Sequence, residues 1–163
     1  MATPGDGHST MEYLLDRGRL ERVDGTTAGA SAVAIIGRAA RRLLTAEGGL
    51  RACDVEGAFA ASYDAYRMAA EAPLVRHGLS ATGGEGSHVT VEDAISGQYS
   101  EPVRGLAKPT FERLRRTRHA AQYFDPSGAE ISSDDAAWAL TTARVVVDAV
   151  EQLLATDPPG LFS

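Results

Sequence analysis

The chain has 163 residues, 44 % of them hydrophobic and only 6 % aromatic, and a formal net charge of −6. That length suits one domain with a core of its own, and the acidic balance argues against a protein that coats DNA or RNA nonspecifically. One cysteine, Cys53, excludes an internal disulfide and any multi-cysteine metal site.

Taken in order, residues 1–9 read as a polar, glycine-rich tail. A first helix is expected over roughly Ser9 to Val23, with Met11, Leu14, Leu15 and Leu20 on one face and Gly18 as a weak point. DGTT at Asp24–Thr27 breaks it. A second helix runs from about Ala28 to Glu47. Its expected stripe is Val33, Ile36, Ala40, Leu43 and Leu44, with Arg38, Arg41 and Arg42 facing solvent. A third helix is expected from Asp54 to His77, burying Phe59, Ser62, Tyr63, Tyr66, Ala70 and Leu74. Pro73 should kink or end it near Ala69–Ala72, and Gly78 suits the position just past its end. Asp64 and Arg67, three apart, can pair.

The glycine-rich loop Ser80–Gly86 lacks the Gly-Lys-Ser/Thr and the preceding strand of a phosphate loop, so it reads as a connection. A fourth helix covers Ser87–Ser100, with Val89, Val91, Ala94 and Ile95 as its apolar set. A fifth covers Phe111–Phe124, led in by Pro109 and stopped by DPSG at Asp125–Gly128. The last opens at Ser132 or Ser133 with Asp134 and Asp135 in its first turn. Trp138, Ala139, Thr142, Val145, Val146, Ala149, Val150, Leu153 and Leu154 form its stripe, and DPPG ends it. No strand is evident and no repeat. The expected fold is therefore all-α: one antiparallel bundle of five to six helices over residues 10–157, with residues 158–163 as a tail.

The fifth helix, FERLRRTRHAAQYF, concentrates the candidate chemistry. It carries Arg113, Arg115, Arg116 and Arg118, with His119 and Tyr123. At about 100° per residue, Phe111, Leu114, Thr117, Ala121 and Phe124 share a face. Arg118 falls on that seam, while Arg113 and Arg116 point away. A charge beside an apolar seam needs an acidic partner, a subunit interface or an anionic ligand. A guanidinium holds phosphate bidentately, and a histidine moves protons near neutral pH. No histidine pair has helical metal spacing, so neither metal nor cofactor is expected. His8, His77 and His88 read as tail, helix-end and helix-start residues, and Cys53 as a small buried or half-buried side chain. No apolar run reaches the roughly 20 residues of a membrane span, so a cytoplasmic protein is expected.

Three stretches resemble an HEPN-domain protein (higher eukaryote and prokaryote nucleotide-binding): LLDRGRLERV at Leu14–Val23, SYDAYRMAAEAPLVRHGL at Ser62–Leu79 and FERLRRTRHAAQY at Phe111–Tyr123. The third is the most specific, and the resemblance spans about Leu14 to Leu154. It implies a helical bundle that usually dimerises. The seam arginine itself points to a homodimer with the Phe111–Phe124 helices near the twofold axis, their repulsion relieved by acidic residues, Asp64 the candidate, or by phosphate. In ribonuclease members of the family each subunit gives an Arg-x(4–6)-His motif to one cleft. Many are toxins paired with an antitoxin, often a nucleotidyltransferase. In the common register Arg118 matches the arginine, His119 the polar place, and Tyr123 stands where the catalytic histidine would be. A looser register joins Arg113 to His119. The tyrosine that the partner enzyme modifies in some relatives is replaced by Asp125. Two functions follow: a module binding RNA, a nucleotide or a partner protein through an Arg118/His119/Tyr123 cleft, with Arg113, Arg115, Arg116 and Asp64 around it; or an active metal-independent endoribonuclease. A structural helical adaptor is the third. A tyrosine (pKa about 10) is a poor base near pH 7, so the binding module is the expectation, with weak or no cleavage of generic RNA.

Overall fold

The computed structural model describes residues 4–83, 87–99, 103–122 and 130–156. Six helices follow one another: α1 (Pro4–Asp16), α2 (Ala28–Arg51), α3 (Val55–Arg76), α4 (Ser87–Tyr99), α5 (Lys108–Gln122) and α6 (Ser133–Thr156). Two three-residue strands, β1 (Leu20–Arg22) and β2 (Leu79–Ala81), make the only sheet among the described residues, and short 3-10 turns precede α2 and α5. The all-α expectation holds at the level of a helical bundle. Residues 158–163 lie outside the described residues.

The centre is a close antiparallel contact between α2 and α3. Its seam is alanine at heptad spacing on both helices: Ala32, Ala39 and Ala46 on α2, and Ala58, Ala65 and Ala72 on α3, none more than 1 % exposed. Small side chains at every seventh place let two helix axes approach closely. At the α2–α3 corner a Cβ on Gly49 would lie 3.1 Å from the backbone of Ala58, so a larger residue there would push the two backbones a few tenths of an ångström apart. α6 closes a third side with Ala136, Ala139, Ala143, Val146 and Val150, all fully buried. α4 and α5 then pack on α3, and α1 packs on α4. Tyr66 of α3 meets Phe111 of α5 edge-on, with centroids 4.9 Å apart. Its hydroxyl donates to the Gly105 carbonyl at 2.5 Å. Burial keeps that phenol protonated far above its ordinary range.

Several expected boundaries and faces shift. α1 starts at Pro4, inside the expected tail; a proline is tolerated in a first turn because its missing N–H has no helical partner there. It stops at Asp16, short of Val23, because Gly18 adopts φ +66° and reverses the chain. Gly78 does the same after α3, at φ +70°. The two turns aim their following residues at each other, and the strands pair antiparallel, Leu20 with Ala81 and Arg22 with Leu79. Strands this short leave no periodicity to read. α3 continues through Pro73 to Arg76, without ending at Ala69–Ala72.

On α2 the buried face is Ala28, Ala32, Ile36, Ala39, Leu43 and Ala46, whereas Val33 and Leu44, expected in the stripe, are 67 % and 64 % exposed. Val145 of α6, likewise expected inside, is also exposed. On α2 periodicity favours the larger side chains, and alanine supplies most of the buried face; on α6 the buried face instead turns to take in Leu140, Ala143 and Val147. Cys53 is exposed, not buried. It sits just past α2 at φ +59°, the left-handed position that glycine fills most cheaply, and Asp54 then caps α3 by accepting from the Gly57 N–H at 2.9 Å.

The alanine register has a direct check in chemical denaturation. Ala39→Leu should lose about 1–3 kcal/mol or more through overpacking, while Leu44→Lys, at a larger but exposed side chain, should stay within about 0.5 kcal/mol.

Candidate functional site

α5 is the most polar helix of the bundle, and only Phe111 and Leu114 among its described residues are buried. Its arginines do not form one patch. Each turns to a different neighbour and each meets a carboxylate. Arg113 lies over the Trp138 ring of α6, 3.6 Å from the centroid, with Asp135 at 4.0 Å. Arg115 donates to Glu92 of α4 at 3.2 Å. Arg116, 74 % exposed, has only Glu112 at 4.0 Å on its own helix. Arg118 donates to Asp64 of α3 at 2.6 Å.

Arg115 and Glu92 form a structural pair. The Glu92 side chain is 2 % exposed, burial raises its pKa, and the Arg115 hydrogen bond counters that rise. Arg115 is thus committed to neutralising a buried acid.

Arg118 has the setting expected of a charge on a seam. It stands one turn beyond the buried Leu114, its side chain 32 % exposed. The guanidinium lies over the Tyr63 ring, 4.8 Å from the centroid, and Asp64 fixes one amino group. Among the described residues its other N–H groups make no hydrogen bond, so a face of the fork remains for a ligand. The acidic partner comes from the same chain. Asp64 therefore does not pair with Arg67 as expected; Arg67 instead meets Glu71 one turn on, at 2.6 Å.

The structure adds His88, which its place at the start of α4 gave no reason to single out. Its Nδ1 is 2.9 Å from the Tyr63 hydroxyl, and the two rings stack with centroids 6.0 Å apart. Tyr63 is thus shared: its face carries Arg118 and its hydroxyl holds His88. Burial, and next the Arg67 charge, push the His88 pKa below its ordinary value, so the ring is neutral at pH 7. Burial pushes the Tyr63 phenol up, so it stays protonated. If Nδ1 accepts from the phenol, Nε2–H is a donor; if Nδ1–H donates, Nε2 is a base. Sequence spacing could not find this histidine, because it is 30 positions from Arg118 in the chain. Tertiary packing alone makes it a neighbour of Tyr63.

Of the other sequence candidates, His119 is exposed on the last turn of α5. Tyr123 lies outside the described residues. Arg113 is held against α6 and Arg118 against α3, so Arg113 does not converge on Tyr63 as Arg118 does. No group of three or more His, Cys, Asp or Glu with metal-binding geometry occurs among the described residues, and no described helix is long and apolar enough to cross a membrane. No family model, curated protein or solved structure matches the chain.

Two measurements separate the structural arginine from the rest. Arg115→Ala should cost about 3 kcal/mol by leaving Glu92 buried and unpaired, and Glu92→Leu in the same chain should restore most of it. Arg116→Ala should change stability by less than about 1 kcal/mol. For His88 the sign follows from its lowered pKa. The unfolded chain takes up a proton near pH 6.5 before the folded one does, so the contribution is full above that value and is lost as pH falls through the folded pKa. A melting-temperature series from pH 7.5 to about 5 should therefore decline, and His88→Gln should flatten the upper part of that decline.

Proposed function

We infer that the protein is an HEPN-like module that binds a phosphate-bearing ligand, an RNA or a nucleotide, at Arg118. The observation that carries this reading is the guanidinium itself: it lies over Tyr63, is fixed at one end by Asp64, and belongs to a side chain that is still 32 % exposed. A guanidinium so held loses little freedom on meeting a phosphate, which is the condition for a defined site and not a diffuse basic surface.

Local charge sets the character of the binding. Arg67, Arg115 and Arg118 are matched by Glu71, Glu92 and Asp64. These three pairs add no net charge of their own, so Arg118 itself attracts polyanions weakly, and a phosphate must share Arg118 with Asp64 or displace it. That favours a selective, modest binder over an RNA-coating protein. The resemblance further motivates a homodimer and a partner of the nucleotidyltransferase antitoxin type, in a toxin–antitoxin or defence setting.

One observation favours the ribonuclease reading as a second. With tyrosine at the motif's histidine place, the cleft would lack a proton carrier near neutral pH; His88, neutral and hydrogen-bonded to Tyr63, supplies one. In that mechanism the ring accepts the 2′-OH proton and that oxygen bonds to the adjacent phosphorus; the P–O5′ bond breaks, the 5′-oxygen leaves with a proton from water, and a 2′,3′-cyclic phosphate remains while Arg118 holds its oxygens.

Arg118→Ala should abolish binding of a labelled dinucleotide in a fluorescence anisotropy titration, with the helical circular dichroism signal retained. Asp64→Asn removes the competing carboxylate and should tighten binding several-fold. Loss of binding in Asp64→Asn would show that the carboxylate itself serves the ligand. Cleavage of labelled RNA in chelator, with 2′,3′-cyclic phosphate ends and loss in His88→Ala, would establish the second reading over the first.

A further inference from the structure

A second arginine cluster lies on α2, and it differs from α5 in one physical respect. Arg38, Arg41 and Arg42 stand at i, i+3 and i+4, on one helix face, all exposed. None forms an ion pair among the described residues, whereas Arg113, Arg115, Arg116 and Arg118 each have a carboxylate within 4.0 Å. The nearest acid along α2, Glu47, is engaged by Arg144 of α6. Three like charges one turn apart repel, and here nothing in the described chain compensates them. In an otherwise acidic protein this is the uncompensated positive patch on a regular element.

The three side chains also enclose space. Together with Thr45 and Met68 they line a cavity of about 440 Å³ between α2 and α3. Met68 belongs to the half-exposed strip of α3 that contains Asp64, Arg67 and Glu71. α2 borders that strip on one side, and α5, through Arg118 and Asp64, borders it on the other. The α2 arginines and Arg118 therefore flank the same half-exposed strip of α3.

We propose that the Arg38–Arg41–Arg42 pocket is a second phosphate-binding site, and that it takes the backbone of a single RNA strand whose other end reaches Arg118. The path across α3 rests on the Arg118 reading; the pocket stands on its own arginines. The two sites differ in kind. Arg118 is oriented and neutralised, and so selects a phosphate by geometry. The α2 pocket is unneutralised, and so attracts phosphates by charge and with a steep salt dependence.

The test uses the full chain and two labelled probes in anisotropy titrations over a range of salt: a uridine dinucleotide, and an oligouridylate about 12 nucleotides long. The variants are Arg38→Ala/Arg41→Ala/Arg42→Ala and Arg118→Ala. The triple variant exchanges exposed residues for good helix formers, and a melting curve confirms that it folds. It should bind the long probe about tenfold more weakly, with a salt slope smaller by about 2, roughly 0.7 for each phosphate that no longer meets an arginine. Its binding of the dinucleotide should be unchanged. Triple-variant binding of the long probe at natural affinity and slope would overturn the pocket. So would a natural protein that binds the long probe no more tightly than the dinucleotide. Failure of the Arg118 reading has a different signature: Arg118→Ala binds both probes normally while the triple variant still loses the long one, which keeps the pocket and removes the path.

Discussion

The close approach of α2 and α3 governs this molecule. Alanine at heptad spacing on both partners brings the two backbones together, and Gly49 makes the corner passable. Each alanine contributes little apolar area, about a methyl group, so stability comes from the dense van der Waals packing that close approach permits. α3 then presents its remaining faces to α4, α5 and α6. Its large residues lie there: Phe59, Tyr63 and Tyr66, all nearly or fully buried. The tyrosine that carries the candidate site is therefore fixed by the same helix that anchors the core. That is the arrangement in which a site keeps its geometry.

α5 docks differently. With two buried apolar residues among those described, it is held by charge and by aromatic faces: Arg113 on Trp138, Arg115 on Glu92, Arg118 on Asp64 and Tyr63. A half-buried pair such as Arg115–Glu92 does not add much net stability, since desolvation of the acid offsets attraction. It does specify which face of α5 meets which neighbour, because any other rotation leaves Glu92 unpaired. The cluster that draws the eye in the sequence thus divides its work. One arginine satisfies a buried acid, one stacks on a tryptophan, one is solvated, and one lies over Tyr63 against Asp64.

The contrast with α2 follows from the same charge balance. Paired arginines have lost most of their field; unpaired ones have kept it. Arg38, Arg41 and Arg42 look like ordinary solvent-facing residues in a helical pattern, and Arg113 to Arg118 look like a basic patch. Once the carboxylates are placed, the α5 arginines are paired among the described residues, and Arg38, Arg41 and Arg42 on α2 are not. Function for such a surface depends on where the acids are, and acids distant in sequence decide it.

By itself the sequence determined the helical class, the order of the six helices, the glycine after α3 and the seam position of Arg118. These are local matters: periodicity, turn residues and the cost of a charge beside Leu114 act within a few positions along the chain. Only the tertiary structure decided the rest. It set the buried face of α2 largely on alanine, because shape complementarity between helices outweighs the size of a single side chain, and it turned the face of α6 to take in Leu140, Ala143 and Val147. It formed β1 and β2 from two three-residue stretches aimed by Gly18 and Gly78. It gave Asp64 to Arg118 and Glu92 to Arg115, choices among several acids that no spacing rule ranks. It also brought His88 to Tyr63, because a contact between residues 25 positions apart exists only when two helices pack.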